Sequence, residues 1–405
     1  MPGRTGVRDV EELARHMTAE IRIPGIIKTG AGAFNETASV LASLKCSEPL
    51  IVTDSFLMSR GLAGKLRDQI LTAGMRCEVF SGAVADPTTA AVEEGLNAFL
   101  QGRHDSLVSL GGGSSIDTAK AIGLLVGNGG CVSDYKVPKP IPAAGPPHVA
   151  IPTTAGTGSE VSRFAVISDS KSEEKMLIAG SVLLPSAAVV DYELTMSMPK
   201  RLTADTGTDS LTHAIEAYVS SKANRFTDAF ALSAMKTIWT ELPIAFRQPE
   251  NRVARQGMMA AATLAGIAFS NASVALVHGM SRPIGFFFHV PHGLSNAMLL
   301  PSVTEFSAIA APARYADCAR AMGIATQKDA DLDAVSKLVR ELFRRNEELE
   351  VPSPMSFGIP ERRYFELIPT MALQALASGS PQNNPRIPSA SEIEQLYRDI
   401  WRLQA

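Results

Sequence analysis

The sequence predicts an α/β domain built on a parallel sheet, followed by an all-α domain. Two observations carry this. Up to Asp191, short β-branched runs alternate with helical patterns, the signature of βαβ units. Beyond Asp191, helical periodicity dominates to the end. A length of 405 residues agrees, being too long for one core at roughly 150 residues per domain.

Taken in order, Pro49–Thr53 reads as a strand, with a helix over 59–73 behind it. Arg76–Phe80 is a second strand, followed by a helix over 88–100. Ser106–Leu110 is a third, with a helix opening directly behind Gly111–Ser115, and His148–Ile151 is a fourth. Phe164–Ser168, Met176–Ala179 and Ala187–Asp191 are short and separated by polar spacers, which predicts an antiparallel appendage. The boundary falls near Met196–Leu202. Helices are expected over 205–220, 226–245, 252–275, 304–321, 330–347, 361–377 and 390–403, the last opened by a Ser389/Glu392 capping box. Gly379–Pro388, with three prolines, reads as a surface loop.

Composition narrows the function classes. The chain is 45% hydrophobic and 20% charged, with a net charge of −3 and no basic block. That argues against nucleic acid or an anionic membrane surface as partner. The four cysteines, Cys46, Cys77, Cys131 and Cys318, form no CxxC pair, so neither a thiolate zinc site nor a disulfide framework is expected. Residues 1–17 carry charges throughout and lack a signal-peptide apolar region, which predicts a cytoplasmic protein. Gly257–Val277 has no charged residue, but its Ala, Gly, Ser and Met content reads as a buried helix rather than a membrane span.

Gly111, Gly112, Gly113 and Ser114 follow a buried-looking strand and open a helix. Glycines there let backbone N–H groups approach a phosphate, and the helix N-terminus adds its dipole. A triple glycine alone reads equally well as a tight turn. Thr153 and Thr154 follow the next strand and offer hydroxyls on the same sheet edge. Asp54 ends the strand at 49–53, where a carboxylate binds an adenosine ribose and repels a 2′-phosphate, favouring NAD over NADP. Its other reading is a helix cap.

Asp209 and His213 stand four apart in a helical pattern, on one face. His278 ends the apolar stretch and His292 follows fourteen later. Pro283, Gly285 and Pro291 are expected to break any helix between them, so that a loop returns His292 to His278. Three imidazoles and a carboxylate suit a divalent transition metal, with iron(II) and zinc both fitting. An Asp/His pair taken alone is equally a surface pair.

These stretches together resemble the iron-containing alcohol dehydrogenase family. The resemblance rests on Gly111–Lys120 (GGGSSIDTAK), Ile151–Ser162 (IPTTAGTGSEVS), Leu202–Ser220, Val277–Pro301 (VHGMSRPIGFFFHVPHGLSNAMLLP) and Asn384–Arg386, in family order over nearly the whole chain. It implies a Rossmann-like dinucleotide-binding domain at 1–195, an all-helical metal-binding domain at 196–405, and an active site in the cleft between. It implies Asp209, His213, His278 and His292 as metal ligands and Gly111–Ser114 as the pyrophosphate loop. Asp117 matches the acid in that loop's helix, Thr153 and Thr154 the nicotinamide end, and Asp54 the ribose acid. The implied cofactors are NAD and Fe2+ or Zn2+, the substrate a small alcohol or aldehyde, and the assembly a homodimer or larger.

Many members of that family carry histidine four residues after the third ligand; here Arg282 stands there. Arginine stays protonated and cannot act as a base. Its planar donor fork suits an anionic substrate group, which makes Arg282 a candidate catalytic-site residue. Pairing with a protein carboxylate or exposure to solvent is the alternative. The implied reaction is reversible hydride transfer between an alcohol carbon and nicotinamide, with the metal as Lewis acid. A glycerol-dehydrogenase-like or dehydroquinate-synthase-like enzyme on the same scaffold, or a non-catalytic binding role, are the other readings.

Overall fold

The computed structural model describes residues 18–169, 171–172 and 174–402. The charged run at 1–17 lies outside the described residues. Six strands form one parallel sheet: β1 (Ile26–Thr29), β2 (Pro49–Asp54), β3 (Glu78–Ala83), β4 (Ser106–Gly111), β5 (His148–Pro152) and a later strand, Ala187–Val190. Two more, β6 (Phe164–Asp169) and β7 (Glu174–Ala179), pair as an antiparallel hairpin. With Ala187–Val190 as β8, the sheet order is β1-β8-β5-β4-β2-β3.

Helices cover both faces. They are α1 (Thr37–Ser43), α2 (Ser55–Ser59), α3 (Leu62–Thr72), α4 (Thr89–Gly102) and α5 (Gly113–Asn128). Alternation along each strand decides which face a residue serves. Leu50, Val52 and Leu107 pack with Val92, Phe99 and Ile122 of α4 and α5. Ile51, Val108 and Val149 pack with Leu41, Leu66 and Ile70 of α1 and α3. With both faces covered, the strands read as continuous apolar runs rather than alternating ones. Strand order reverses between β2 and β4, so Asp54 and the loop after β4 flank the switch point where such sheets bind ligands.

The helical part comprises α6 (Lys200–Val219), α7 (Arg225–Arg247), α8 (Arg252–Ala272), α9 (Leu276–Phe288), α10 (His292–Ala308), α11 (Pro312–Ala321), α12 (Asp331–Glu348), α13 (Pro354–Phe357), α14 (Glu361–Ala377) and α15 (Ala390–Ile400). The capping box is present: Ser389 Oγ accepts from Glu392 N–H, and Ser389 N–H donates to the Glu392 carboxylate.

Four expectations are corrected. Ala187–Val190 lies within the parallel sheet between β1 and β5, not in an antiparallel appendage; its four residues are all buried, as a central strand requires. The stretch expected as one helix over 304–321 is divided between α10 and α11, with Pro312 opening the second. Pro283 and Gly285 do not break the chain into a loop but lie inside α9. Pro283 lacks the N–H that would bond back to Gly279, yet the helix runs on to Phe288, and the break comes at His289–Pro291. The proline-rich run at 379–388 is not a simple surface loop, because Ser380, Pro381, Asn383 and Asn384 are buried.

No single helix among the described residues is long and apolar enough to cross a membrane. The uncharged stretch is divided between α8 and α9, which meet at 104° after Ser273 adopts a positive φ.

The sheet's ligand edge is fastened to the helical part through residues 156–163. Ser210 Oγ of α6 donates to the Gly156 carbonyl at 2.8 Å, and Thr263 Oγ1 of α8 to the Glu160 carboxylate at 2.9 Å. Gly158 and Gly266 touch backbone to backbone; a Cβ on Gly266 would lie 2.8 Å from the Gly158 Cα and 2.6 Å from Val161. Gly266→Ala is therefore expected to destabilise the protein by about 1–3 kcal/mol despite the better helix propensity of alanine. A urea midpoint equal to or above that of the wild type would contradict this contact.

Candidate active site

Helix α6 brings Asp209, His213 and Glu216 to one side at positions i, i+4 and i+7. Helix α9 supplies His278 in its first turn, and α10 supplies His292 as its first residue. Gly293 makes the approach of α10 possible: a Cβ there would lie 2.3 Å from the Asp205 carbonyl oxygen and 3.3 Å from Asp209 Cβ.

The imidazole Nε2 atoms of His278, His292 and His213 surround one carboxylate oxygen, Asp209 Oδ1, at 3.5, 3.7 and 3.9 Å. Two ligand atoms bound about 2.1 Å from one ion at a tetrahedral angle stand about 3.4 Å apart, so this spacing fits a single divalent metal. The tightest group is Asp209, His278 and His292. His213 stands slightly back, stacked between His278 and Phe269 with ring centroids 4.5 and 4.2 Å away. A donor marks the focus of the lone pairs: Asn296 Nδ2 lies 2.6 Å from Asp209 Oδ1, 3.2 Å from His278 Nε2 and 3.3 Å from His292 Nε2. The donor set thus fits a cation. His292 is 41% exposed on its side chain while Asp209 is 2% exposed, so the cluster opens on the His292 side.

Glu216 orients the deepest ligand. Its carboxylate lies 2.6 Å from His278 Nδ1 and accepts the backbone N–H groups of Ala275 and Val277 at 2.9 and 2.6 Å. The Nδ1 proton is thereby fixed, and the Nε2 lone pair faces Asp209. Burial depresses His213 and His292 to about 3, so both imidazoles are neutral and able to ligate. Burial would also lower His278, but Glu216 and Asp209 outweigh it and raise the imidazole. Burial would raise the Asp209 carboxyl, yet the surrounding imidazoles hold it well below the usual range.

At the sheet edge, Gly112 caps α5 with no side chain bonded to the helix end, leaving the first-turn N–H groups open for a phosphate. Thr154 Oγ1 is buried without a partner, an orphan beside the same loop. Thr153 is buried, and its N–H donates to the Gly111 carbonyl. This edge fits a dinucleotide. Ser114 turns its hydroxyl to the Ala85 carbonyl, so only its backbone remains for a phosphate. Asp54 caps α2 through Oδ1, which accepts from Leu57 N–H at 2.8 Å.

Asp117 differs from expectation. Both its oxygens are committed to the protein, accepting from Ser159 Oγ at 2.6 Å and Val166 N–H at 2.9 Å. It acts with buried Lys120, which donates to Ser159, Ser162 and Phe164, in holding the segment after β5.

Residues 24–192 match the family described as iron-containing alcohol dehydrogenase, and residues 203–401 match its C-terminal part. The chain belongs to the iron-containing alcohol dehydrogenase family. It is 39% identical to an NAD-dependent methanol dehydrogenase of Bacillus methanolicus, over 93% of this chain and 98% of that one. It is 35% identical to a 1,3-propanediol dehydrogenase of Citrobacter freundii, over 94% and 98%. A solved 1,3-propanediol oxidoreductase superposes with a TM-score of 0.91 at 34% identity, over 95% of this chain and all of that one. The alcohol dehydrogenase is an NAD-linked, metal-dependent oxidoreductase, as its family match and relatives support.

Sequence reasoning missed Glu216 and Asn296. Both carry a periodic signal: Glu216 follows His213 by three, and Asn296 follows His292 by four, on ligand-bearing helix faces. Glu216→Gln in this alcohol dehydrogenase is expected to weaken metal binding by about 10–100-fold, because Nδ1 loses its anionic acceptor. Metal retained after dialysis against graded chelator measures it, and unchanged retention would remove Glu216 from the site.

Proposed function

We propose that Asp209, His213, His278 and His292 hold the catalytic metal, and that Gly111, Gly112, Gly113, Ser114, Thr153, Thr154 and Asp54 hold NAD. In this reading residues 1–195 serve as the cofactor domain and 196–405 as the metal domain. The observation that carries it is the convergence of three imidazole nitrogens on one Asp209 oxygen, with an amide N–H donor at their focus. The bound metal supplies Lewis-acid polarisation of an alcohol or carbonyl oxygen, and NAD supplies the hydride exchange.

The chain's own part is positioning and charge. Glu216 holds the His278 tautomer, Phe269 holds the His213 ring, and Gly293 lets His292 close on Asp209. The fastening of the segment after β5 onto α6 and α8 keeps the cofactor edge in register with the ligand helix. An all-nitrogen-and-oxygen ligand set suits Fe2+ and admits Zn2+. The names of the relatives favour a small primary alcohol or diol over a glycerol-dehydrogenase-like substrate. Four free cysteines support a cytoplasmic location. The family likeness, together with the side of β1 away from β8, which no strand of the described residues pairs, supports a homodimer or larger homo-oligomer, which sedimentation tests.

His292→Ala is expected to lose metal affinity by at least about tenfold and nearly all turnover. Full activity in metal-free wild type would overturn the site. For the cofactor, Asp54→Asn keeps a capping side chain but removes its charge. It should raise the NADPH-to-NADH ratio of kcat/KM by about tenfold, equivalent to about 1.4 kcal/mol. A wild type that already prefers NADPH would exclude Asp54 as the selecting acid.

A further inference from the structure

Arg282 is an outlier among the buried arginines. It is only 8% exposed, yet among the described residues it makes no ion pair, and its one protein hydrogen bond runs from Nη1 to Ser380 Oγ at 3.0 Å. Arg255, more deeply buried, is satisfied on all three nitrogens by Pro249 O, Thr203 Oγ1 and Met198 O. Arg345 bonds the Trp239 carbonyl and pairs with Glu348, and Arg314 pairs with Asp228. A guanidinium carries five N–H donors, and taking it out of water without an anion is costly. Among the described residues no carboxylate lies within ion-pair distance of Arg282, although the Glu216 charge acts on it, and its remaining N–H donors are not sealed inside the protein.

Its position gives the free donors a purpose. Arg282 follows His278 by one turn of α9, on the same face, at a rise of about 6 Å. One turn further, the bare backbone of Gly285 is covered by Lys175 of β7, whose Nζ would meet a Cβ there at 3.1 Å. Lys175 also acts on His292, and Asp86 shares its charge at 3.0 Å.

We propose that Arg282 binds the far end of the substrate, and that this enzyme acts on short hydroxy or oxo acids ending in a carboxylate, sulfonate or phosphonate. The planar donor fork matches such an oxyanion in two-point contact, and Ser380 fixes the fork's orientation. The carbinol carbon loses a hydride to NAD+ and its hydroxyl a proton to solvent, while the anionic group is unchanged. This inference rests on the alcohol dehydrogenase reading and narrows its substrate.

The test compares ω-hydroxy acids of three to five carbons with their neutral amides on the metal-loaded enzyme, adding the sulfonate and phosphonate analogues. The expected result is that at least one anionic compound exceeds its neutral counterpart about tenfold or more in kcat/KM. A second readout is calorimetric binding of each pair to the enzyme–NADH complex, in which the alcohol cannot react. Arg282→Gln should abolish the preference in both, and Arg282→Lys should restore part of it. Equal rates and equal binding for acid and amide in the wild type overturn the proposal while leaving the alcohol dehydrogenase reading intact. If no compound turns over, that reading fails and the binding arm still decides the role of Arg282. If Arg282→Gln does not fold, the wild-type comparison decides alone.

Discussion

The active half of the molecule depends on one buried contact, the Glu216 carboxylate against His278 Nδ1 and the start of α9. A buried carboxylate is costly unless every lone pair is used. Glu216 spends its lone pairs on one imidazole and two backbone N–H groups. Those N–H groups belong to Ala275 and Val277, at a helix N-terminus that has no side-chain cap of its own. The acid therefore caps α9 from another helix, where the dipole favours a negative charge. With Ser220, which donates to the Ala272 carbonyl, and Asn383, which donates to Ser273 and the Val274 carbonyl, it fixes the turn between α8 and α9 from which His278 is presented.

The same helix, α6, also faces the cofactor edge. Ser210 neighbours Asp209 and donates to Gly156, in the loop that begins with Thr153 and Thr154. Asp117 and Lys120, carried by the helix behind the glycine loop, hold the next part of that segment through Ser159, Ser162 and Val166. The ligand helix and the glycine-loop helix thus grip one stretch of chain from opposite sides. The spacing between the glycine loop and the ligand cluster is set by buried hydrogen bonds, which is what the proposed near-attack geometry would need.

The fold was legible where periodicity and burial agree. The strands at 49–53 and 106–110 and the helix at 330–347 read correctly because each has one unambiguous pattern. Strand β1 went unread because four residues, three half-buried and one exposed, give too short a pattern. Strand β8 was misplaced because pairing partners are non-local: Ala187 meets Ile26 and Val149, and nothing in the local sequence says so. Pro283 misled because tertiary packing overrides the proline penalty; its neighbours on α9 are buried from Leu276 to Gly285. In the site, Asp209, His213, His278 and His292 were legible as a candidate cluster from residue chemistry and spacing, and the structure brings them together. Glu216 and Asn296 were not singled out, since an acid or amide on a helix is ordinary until its burial is known.

Charge balance links the ligand cluster to Arg282. With the imidazoles neutral, the buried groups around the site are the carboxylates of Asp209 and Glu216 and the guanidinium of Arg282. They leave one negative charge uncompensated, which explains why His278 is pushed toward protonation. A divalent ion held there would reverse the deficit and leave one positive charge over, which the anionic group of the proposed substrate would offset beside Arg282. A histidine at this position, as the family resemblance implies for many members, would add no fixed charge, so an arginine here changes the electrostatic demand on the substrate without touching a ligand.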